Sequence, residues 1–252
     1  MTSVSIIIPY YKKKKYFKKT ITSALNQSFK DFEILIVFDE GSNKNLEFIR
    51  LISKKDKRIK LIINKKNLGA GMSRNIGIRQ SKGKFIAFLD ADDIWHKDKL
   101  KKQLKFMHNT KSIASHTSYQ IINENGKVTS ERPAKKLNYK KLLNSCDIGL
   151  STVIIKKSLF KNNILFPNLK TKEDYVLWLK VSKKGVTFEA IKNNLTKWRS
   201  SKLSLSSSTI QKIKDAYLVY SRYEKLGVLI SLYRVLILSL SYIKKSKKFK
   251  KI

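Results

Sequence analysis

The sequence predicts an α/β fold: a single Rossmann-like, mainly parallel sheet flanked by helices, with a C-terminal helical tail. Three observations carry that expectation. Short apolar runs alternate with amphipathic stretches through the first hundred residues, as strands and helices alternate around a parallel sheet. Gly- and Asn-marked breaks separate the two kinds of segment. Carboxylates gather where the apolar runs end, the edge at which open parallel sheets take their ligands.

The elements follow in order. SVSIIIP (3–9) reads as the first strand, and 16–28 as a helix with Phe17, Ile21, Ala24, Leu25 and Ser28 along one side. FEILIVF (32–38) is a second buried strand, with GSN at 41–43 turning into a helix. IKLII (59–63) is the third strand, and NLGAG breaks the chain before a helix from about 71 to 80. FIAFL (85–89) is the fourth, followed by a lysine-rich helix from about 97 to 108. Beyond it the pattern loosens. SIASHTSYQII and a strand at 127–130 flank a turn at Asn123-Glu124-Asn125-Gly126, and further strands are expected at 150–156 and 186–191. A helix opens near Glu173, and the tail from about 210 to 243 reads as two helices.

Composition sets outer limits. A chain of 252 residues with 42% hydrophobic content and three prolines builds one sizeable core. The single cysteine, Cys146, excludes a disulfide framework and a Cys-rich zinc site. VSIIIPYY is too short for a signal peptide and meets Pro9 and a lysine run, so a cytoplasmic location is expected. The formal net charge of +37 suits nucleic acid or the anionic inner face of a membrane. Only eight of the 55 basic residues are arginine, the lysines run through every segment, and no nucleic-acid-binding motif occurs. Nucleic-acid binding therefore has no support.

The densest chemistry lies in FIAFLDADDIW, where Asp90, Asp92 and Asp93 leave a buried strand. Carboxylates at i and i+2 of a strand exit can turn toward one hard cation such as Mg²⁺ or Mn²⁺. The plainer alternative is a helix cap, a task Asp93 can take while leaving Asp90 and Asp92 free. The other exits are complementary. Pro9-Tyr10-Tyr11 offers a rigid turn and an aromatic face; Asp39 offers an acceptor for a base N–H. Gly69 to Asn75 combines close backbone approach, a helix N-terminus and the Arg74 cation, which suit a phosphate. Taken singly, Pro9 is a turn, Tyr11 a surface aromatic and Arg74 a solvated helix residue. Further on, Leu177, Trp178 and Val181 stand at i+3, i+4 and i+7 from Asp174, which puts that carboxylate at the head of an apolar helix face. Burial there raises its pKa while the helix N-terminus lowers it. The neighbouring Glu173 reads as an ordinary first-turn acid.

These segments resemble family 2 glycosyltransferases of the A-type, nucleotide-sugar-dependent fold. The matching elements are SIIIPYY, ALNQSFKDFEILIV, DEGS, NLGAGMSRNIGI, GKFIAFLDADDIW and KEDYVLWLKV, in the expected order over about 180 residues. The resemblance implies that Pro9 and Tyr11 line the nucleobase pocket, that Asp39 accepts from the base, and that Arg74 lies near the nucleotide. Asp90 would face the ribose or the metal's water shell, Asp92 would bind a Mg²⁺ or Mn²⁺ ion bridging the diphosphate, and Asp174 would be the catalytic base. The family commonly has two adjacent acids before Gly-Ser; here Phe38-Asp39-Glu40 leaves open, by one residue, which acid Asp39 matches. Some relatives add a late histidine to the metal, yet none follows His116 here.

The implied reaction is inverting transfer from a nucleotide-diphosphate sugar, UDP-linked by expectation, to the hydroxyl of a saccharide or lipid-linked saccharide, as in bacterial surface polysaccharide assembly. Residues 1–205 would form the catalytic domain, with a nucleotide half (1–110) and an acceptor half (111–205), and 206–252 a basic helical tail. The Ser-rich WRSSKLSLSSS (198–208) suits a flap or a linker equally. VLISLYRVLILSLSYI (228–243) is apolar but short for a span and carries Arg234; with KKSKKFKKI after it, it suits a helix at an anionic membrane surface, or a core or dimer helix. The rivals are a nucleotidyltransferase, weakened by the absence of a Gly-rich loop after strand one, and a non-catalytic basic module on the same fold.

Overall fold

The computed structural model of the protein describes residues 2–161, 164–201 and 208–248, with side chains of the last helix as far as Lys245. Nine strands join in one sheet of order β3-β2-β1-β4-β8-β6-β9-β5, with β7 pairing β6. The first four are β1 (Val4–Tyr10), β2 (Phe32–Phe38), β3 (Ile59–Ile63) and β4 (Phe85–Phe88), all mutually parallel. Helices α1 (Lys14–Leu25), α2 (Leu46–Ser53) and α3 (Ala70–Gln80) connect them. The expected α/β fold is present.

Strand alternation sorts the interior into two cores. Val4, Ile6, Ile8 and Tyr10 of β1 face one side of the sheet with Phe17, Ile21 and Ile49; Ile7, Ile86 and Phe88 face the other with Ile78 and Trp178. Covered on both faces, β2 is buried at every position, which is why it reads as an apolar run interrupted only by Glu33, whose carboxylate accepts from Ser5 Oγ and Lys60 Nζ. Pro9 lies inside β1, opposite Val37, and not in a turn. The Ile7 carbonyl accepts from Leu89 and the Tyr10 carbonyl from Asp39, so odd positions of β1 face β4. The N–H that Pro9 lacks falls where β4 has already ended, and no ladder bond is lost.

The second half is mixed in direction. It comprises β5 (Ile94–Trp95), α4 (Lys99–Asn109), β6 (Ala114–Ile122), β7 (Val128–Arg132), α5 (Tyr139–Leu142), β8 (Ile154–Lys156), α6 (Glu173–Lys183) and β9 (Glu189–Arg199). β9 runs eight residues past the expected end at 191. Its pairing with β6 shifts register around Thr117 and Ser118, opposite the Ile191–Asn194 stretch, and that irregularity breaks the two-residue alternation that would reveal the strand. The shift has a consequence, because the added length delivers Arg199 to the Asp90–Asp93 turn. Of the Ser-rich 198–208 segment, residues 202–207 lie outside the described residues, as does the 205/206 boundary. α7 (Thr209–Leu218), a π-helical turn (Val219–Tyr223) and α8 (Val228–Lys248) complete the chain. Ala216, Val219, Tyr220 and Leu238 enter the same core as Tyr175 and Leu177, so the tail helices pack on α6.

Candidate functional site

The exit of β2 is built as scaffold. Asp39, only 2% exposed, accepts at Oδ1 from Asn64 Nδ2 (2.8 Å) and the Leu68 N–H (2.8 Å), and at Oδ2 from the Gly69 N–H (2.9 Å). The amides before α3 that suit a phosphate are thus spent on Asp39, and Gly69 presents its N–H from a left-handed φ of 86°. One acceptor direction on Asp39 Oδ2 remains unfilled by these three donors. Glu40, the second acid, accepts from the Lys12 N–H (2.8 Å) and Asn45 Nδ2 (2.9 Å) and so fixes the loop that carries Tyr11. Tyr11 is 39% exposed on that rim with Lys12 Nζ over its ring, whereas Tyr10 is buried against Phe17 and Phe38.

The exit of β4 is built differently. Arg74, 4% exposed and not solvated, donates through Nη2 to Asp90 Oδ1 and through Nη1 to Glu173 Oε1, both at 2.8 Å. One guanidinium on α3 therefore ties the acid turn after β4 to the first turn of α6. Asn75 reinforces the joint by donating to the Phe166 carbonyl and accepting from its N–H, each at 2.9 Å. Gly71 permits the approach: a Cβ there would lie 3.0 Å from the Pro167 carbonyl oxygen and 3.1 Å from Glu173 Cγ. Burial works against the charge on Arg74, but Asp90 and Glu173 outweigh it and hold the guanidinium protonated.

Asp92 points into the same region and pairs through Oδ2 with Lys13 Nζ at 2.7 Å. Burial raises its pKa, with Lys13 opposing and Asp90 adding to the rise. Asp93 does not cap α4, which starts at Lys99 with Asp98 in the capping position and no side-chain cap bond. It is fully buried, accepting from Ser151 Oγ (2.5 Å) and the Arg199 N–H (2.8 Å), while Arg199 Nε donates to the Asp92 carbonyl (3.0 Å). Asp93 thus moulds the turn from which Asp90 and Asp92 project. Burial holds its carboxyl well above the usual range, with Asp92 and Asp90 adding to the effect.

Asp174 stands in the first turn of α6, half-buried, with Oδ1 accepting from the Tyr175 N–H at 2.7 Å. Burial raises its pKa; Arg74 and Lys172 pull it down, and Asp90 pushes it up. Those neighbours place Asp174 in the field of the acid turn. Glu173 is no ordinary first-turn acid. Burial lifts its carboxyl to about 7, against Arg74 and with the help of Asp174. A salt-bridged carboxylate usually titrates low, but here one guanidinium faces several acids and cannot neutralise them all. The chain enters α6 through Thr171, whose N–H and hydroxyl both donate to the buried Asp215 of α7. Nearly every residue of Tyr175–Ser182 is buried, so α6 has no single apolar face, and the i+3, i+4, i+7 pattern is only part of its packing.

Sequence reading missed Lys13, Glu173, Ser151, Arg199 and Asp215. Lys13 is one of four successive lysines, and nothing local distinguishes it. His116 is buried with Nε2 2.8 Å from the Lys135 carbonyl oxygen.

Asp90 and Asp92 fit a divalent cation that takes the rest of its shell from a ligand. Each has one oxygen engaged by a basic side chain and another available, and Asp90 is close enough to raise the pKa of Asp92. Among the described residues no group of three His, Cys, Asp or Glu side chains could hold a metal. Two carboxylates completed by phosphate oxygens and water are the usual setting for Mg²⁺.

Residues 5–166 match the family described as Glycosyl transferase family 2. An uncharacterized glycosyltransferase of Rickettsia felis is 40% identical over 203 residues, which are 79% of this chain and 33% of that protein; the chain spans about a third of that relative's length. The Escherichia coli UDP-Glc:alpha-D-GlcNAc-diphosphoundecaprenol beta-1,3-glucosyltransferase WfgD is 37% identical over 213 residues, covering 84% of this chain and 82% of that one. The crystal structure of S. aureus TarS 1-349 in complex with UDP-GlcNAc has a TM-score of 0.74 at 22% identity, covering 93% of this chain and 71% of that chain, and shows the A-type fold. The strand exits, their acids and the matched residues thus converge: this chain belongs to glycosyl transferase family 2.

Proposed function

We propose that the protein transfers a sugar from a nucleotide-diphosphate sugar, UDP-linked in preference, to the hydroxyl of a lipid-linked saccharide, inverting the anomeric centre. Membership of the family sets the nucleotidyltransferase alternative aside. The observation that carries the proposal is the Arg74 joint, which links Asp90 of the acid turn to Glu173, the immediate neighbour of Asp174. This joint supports a reading in which the metal-side acids and the base act on one bound donor. WfgD, a relative over most of both chains, is named for a UDP-Glc donor and a diphosphoundecaprenol-linked acceptor.

In this mechanism Asp174 accepts the proton of the acceptor hydroxyl, and the oxygen bonds to the anomeric carbon from the face opposite the diphosphate. The bond to the nucleoside diphosphate breaks, and its electron pair leaves with the phosphate oxygen. Asp92 and Asp90 would hold Mg²⁺ or Mn²⁺, whose chemistry when bound is charge stabilisation on the departing diphosphate. Lys13, paired with Asp92, would be free to meet the donor phosphates if Asp92 held the cation instead. Tyr11 stacks on the base, Pro9 shapes its pocket, and the spare acceptor of Asp39 Oδ2 takes a base N–H. Burial places Asp174 closer to neutral pH than an exposed aspartate, which suits a general base.

Calorimetric titration of UDP with and without Mn²⁺ tests the reading. Wild type should bind UDP more tightly with Mn²⁺, and Asp92→Ala should lose that gain. Equal binding with and without the ion would remove the metal, and preference for GDP or TDP would overturn the donor assignment.

A further inference from the structure

Helix α8 turns much of its apolar surface outward. Its inward side sets Leu238, buried in the core, among polar groups. Ser231 is fully buried, Arg234 donates to Asn144 Oδ1 at 2.6 Å, Ser241 and Ser145 share a hydrogen bond of 3.1 Å, and Lys245 reaches Ser145 and Asp147. Its outward side carries Leu229, Leu232, Tyr233, Leu236, Leu240 and Ile243, between 48% and 81% exposed. At about 100° per residue these six share one arc of about 100°. A helix on the surface of a water-soluble domain has the opposite arrangement. No helix among the described residues is long and apolar enough to cross a membrane, and both Arg234, in the second turn of α8, and Lys245, near its end, are bound to the protein, so the helix lies along its partner.

We propose that this arc docks flat on an anionic lipid bilayer, with the leucines at the boundary between headgroups and acyl chains. Charge selects lipid over a second copy. Pairing two chains of net charge +37 brings like charges together, whereas anionic headgroups answer them. The apolar arc also runs into Lys244, exposed, and on into the lysines of KKSKKFKKI. The seat of the helix adds a functional reason, which rests on the lipid-linked acceptor proposed above. α8 grips the Asn144–Asp147 loop, and half-buried Cys146 of that loop has Lys172, Asp174, Asp147 and Lys245 as charged neighbours. A protein lying on α8 therefore brings the base end of its cleft close to the lipid surface.

Co-sedimentation of the full chain with phosphatidylcholine vesicles, with and without phosphatidylglycerol, tests the proposal. The protein should pellet with the anionic vesicles, less so at high salt, and stay in solution with the neutral ones. The triple variant Leu229→Ser, Leu236→Ser, Leu240→Ser changes only exposed side chains and should keep the wild-type circular dichroism and melting point. Its partition onto anionic vesicles should fall by at least about tenfold. Failure of wild type to bind anionic vesicles, or equal binding by the variant, overturns the proposal. So does a dimer in sedimentation equilibrium that the triple variant dissolves while vesicles bind neither protein, because the arc then belongs to a second copy. Transfer to a water-soluble acceptor analogue reports on the chemistry separately, so loss of docking leaves the catalytic reading standing.

Discussion

The loop after β2 and the seam between β4 and α6 both bury carboxylates, and they answer them in opposite ways. Asp39 is met by fixed neutral donors, two of them backbone amides. Asp90, Asp92 and Glu173 are met by the ends of two basic side chains, Arg74 and Lys13. A carboxylate held by amides is satisfied in one geometry and serves as scaffold. One held by a side-chain cation can exchange that cation for a metal or a proton, and the freed cation can take a phosphate. Asp93 shows that the distinction is not about sequence position: one residue from Asp92, it is tied to Ser151 and the Arg199 amide and belongs with the scaffold.

The largest effect that sharpens this contrast is Asp174→Asn. It should lower the transfer rate by about 10²- to 10⁴-fold while UDP affinity stays at the wild-type value, since a general base contributes on that order. Retained turnover removes Asp174 from the base role. Next comes a pair of unfolding experiments in urea. Arg74→Ala leaves Asp90 and Glu173 without their cation and should cost about 3–5 kcal/mol. Asp39→Asn keeps the shape but turns an amide toward the Gly69 N–H, and should cost about 1–3 kcal/mol. Equal costs would erase the difference between the two regions.

The smallest effect is in pH dependence. Glu173 titrates near 7 in the folded protein against an ordinary 4.5, so its folded state binds the proton more tightly than its unfolded state. Stability from this group is complete below about 4.5 and is lost as pH rises through about 7. Glu173→Gln removes that loss. Between pH 5 and pH 8 the stability of wild type relative to the variant should fall by about 1–3 kcal/mol in urea unfolding. A difference independent of pH would mean that Arg74 alone sets the charge on Glu173.

Much of the nucleotide half was legible because its strands are covered on both faces. Such strands must be apolar throughout, so SVSIIIP, FEILIVF and FIAFL stand out, and the acids that end them stand out in turn. β9 was only half legible, since its shift of register against β6 conceals the alternation. The site was legible as a set of residue types, with Asp90, Asp92, Arg74 and Asp174 all singled out, but their partners were not. Arg74 reaches Glu173 across 99 positions of sequence, and Lys13 looks like its lysine neighbours until the fold sets it on Asp92.

The sequence by itself determined the strands and helices of the nucleotide half, and that acids crowd the exits of a parallel sheet. Local patterning is sufficient for that, because burial imposes periods of two and 3.6 residues on the chain. Tertiary structure alone decided which acids became scaffold and which met a basic side chain, and which side of α8 turned outward. Those choices depend on groups distant in the chain arriving within about 3 Å of one another, and no local pattern encodes that distance.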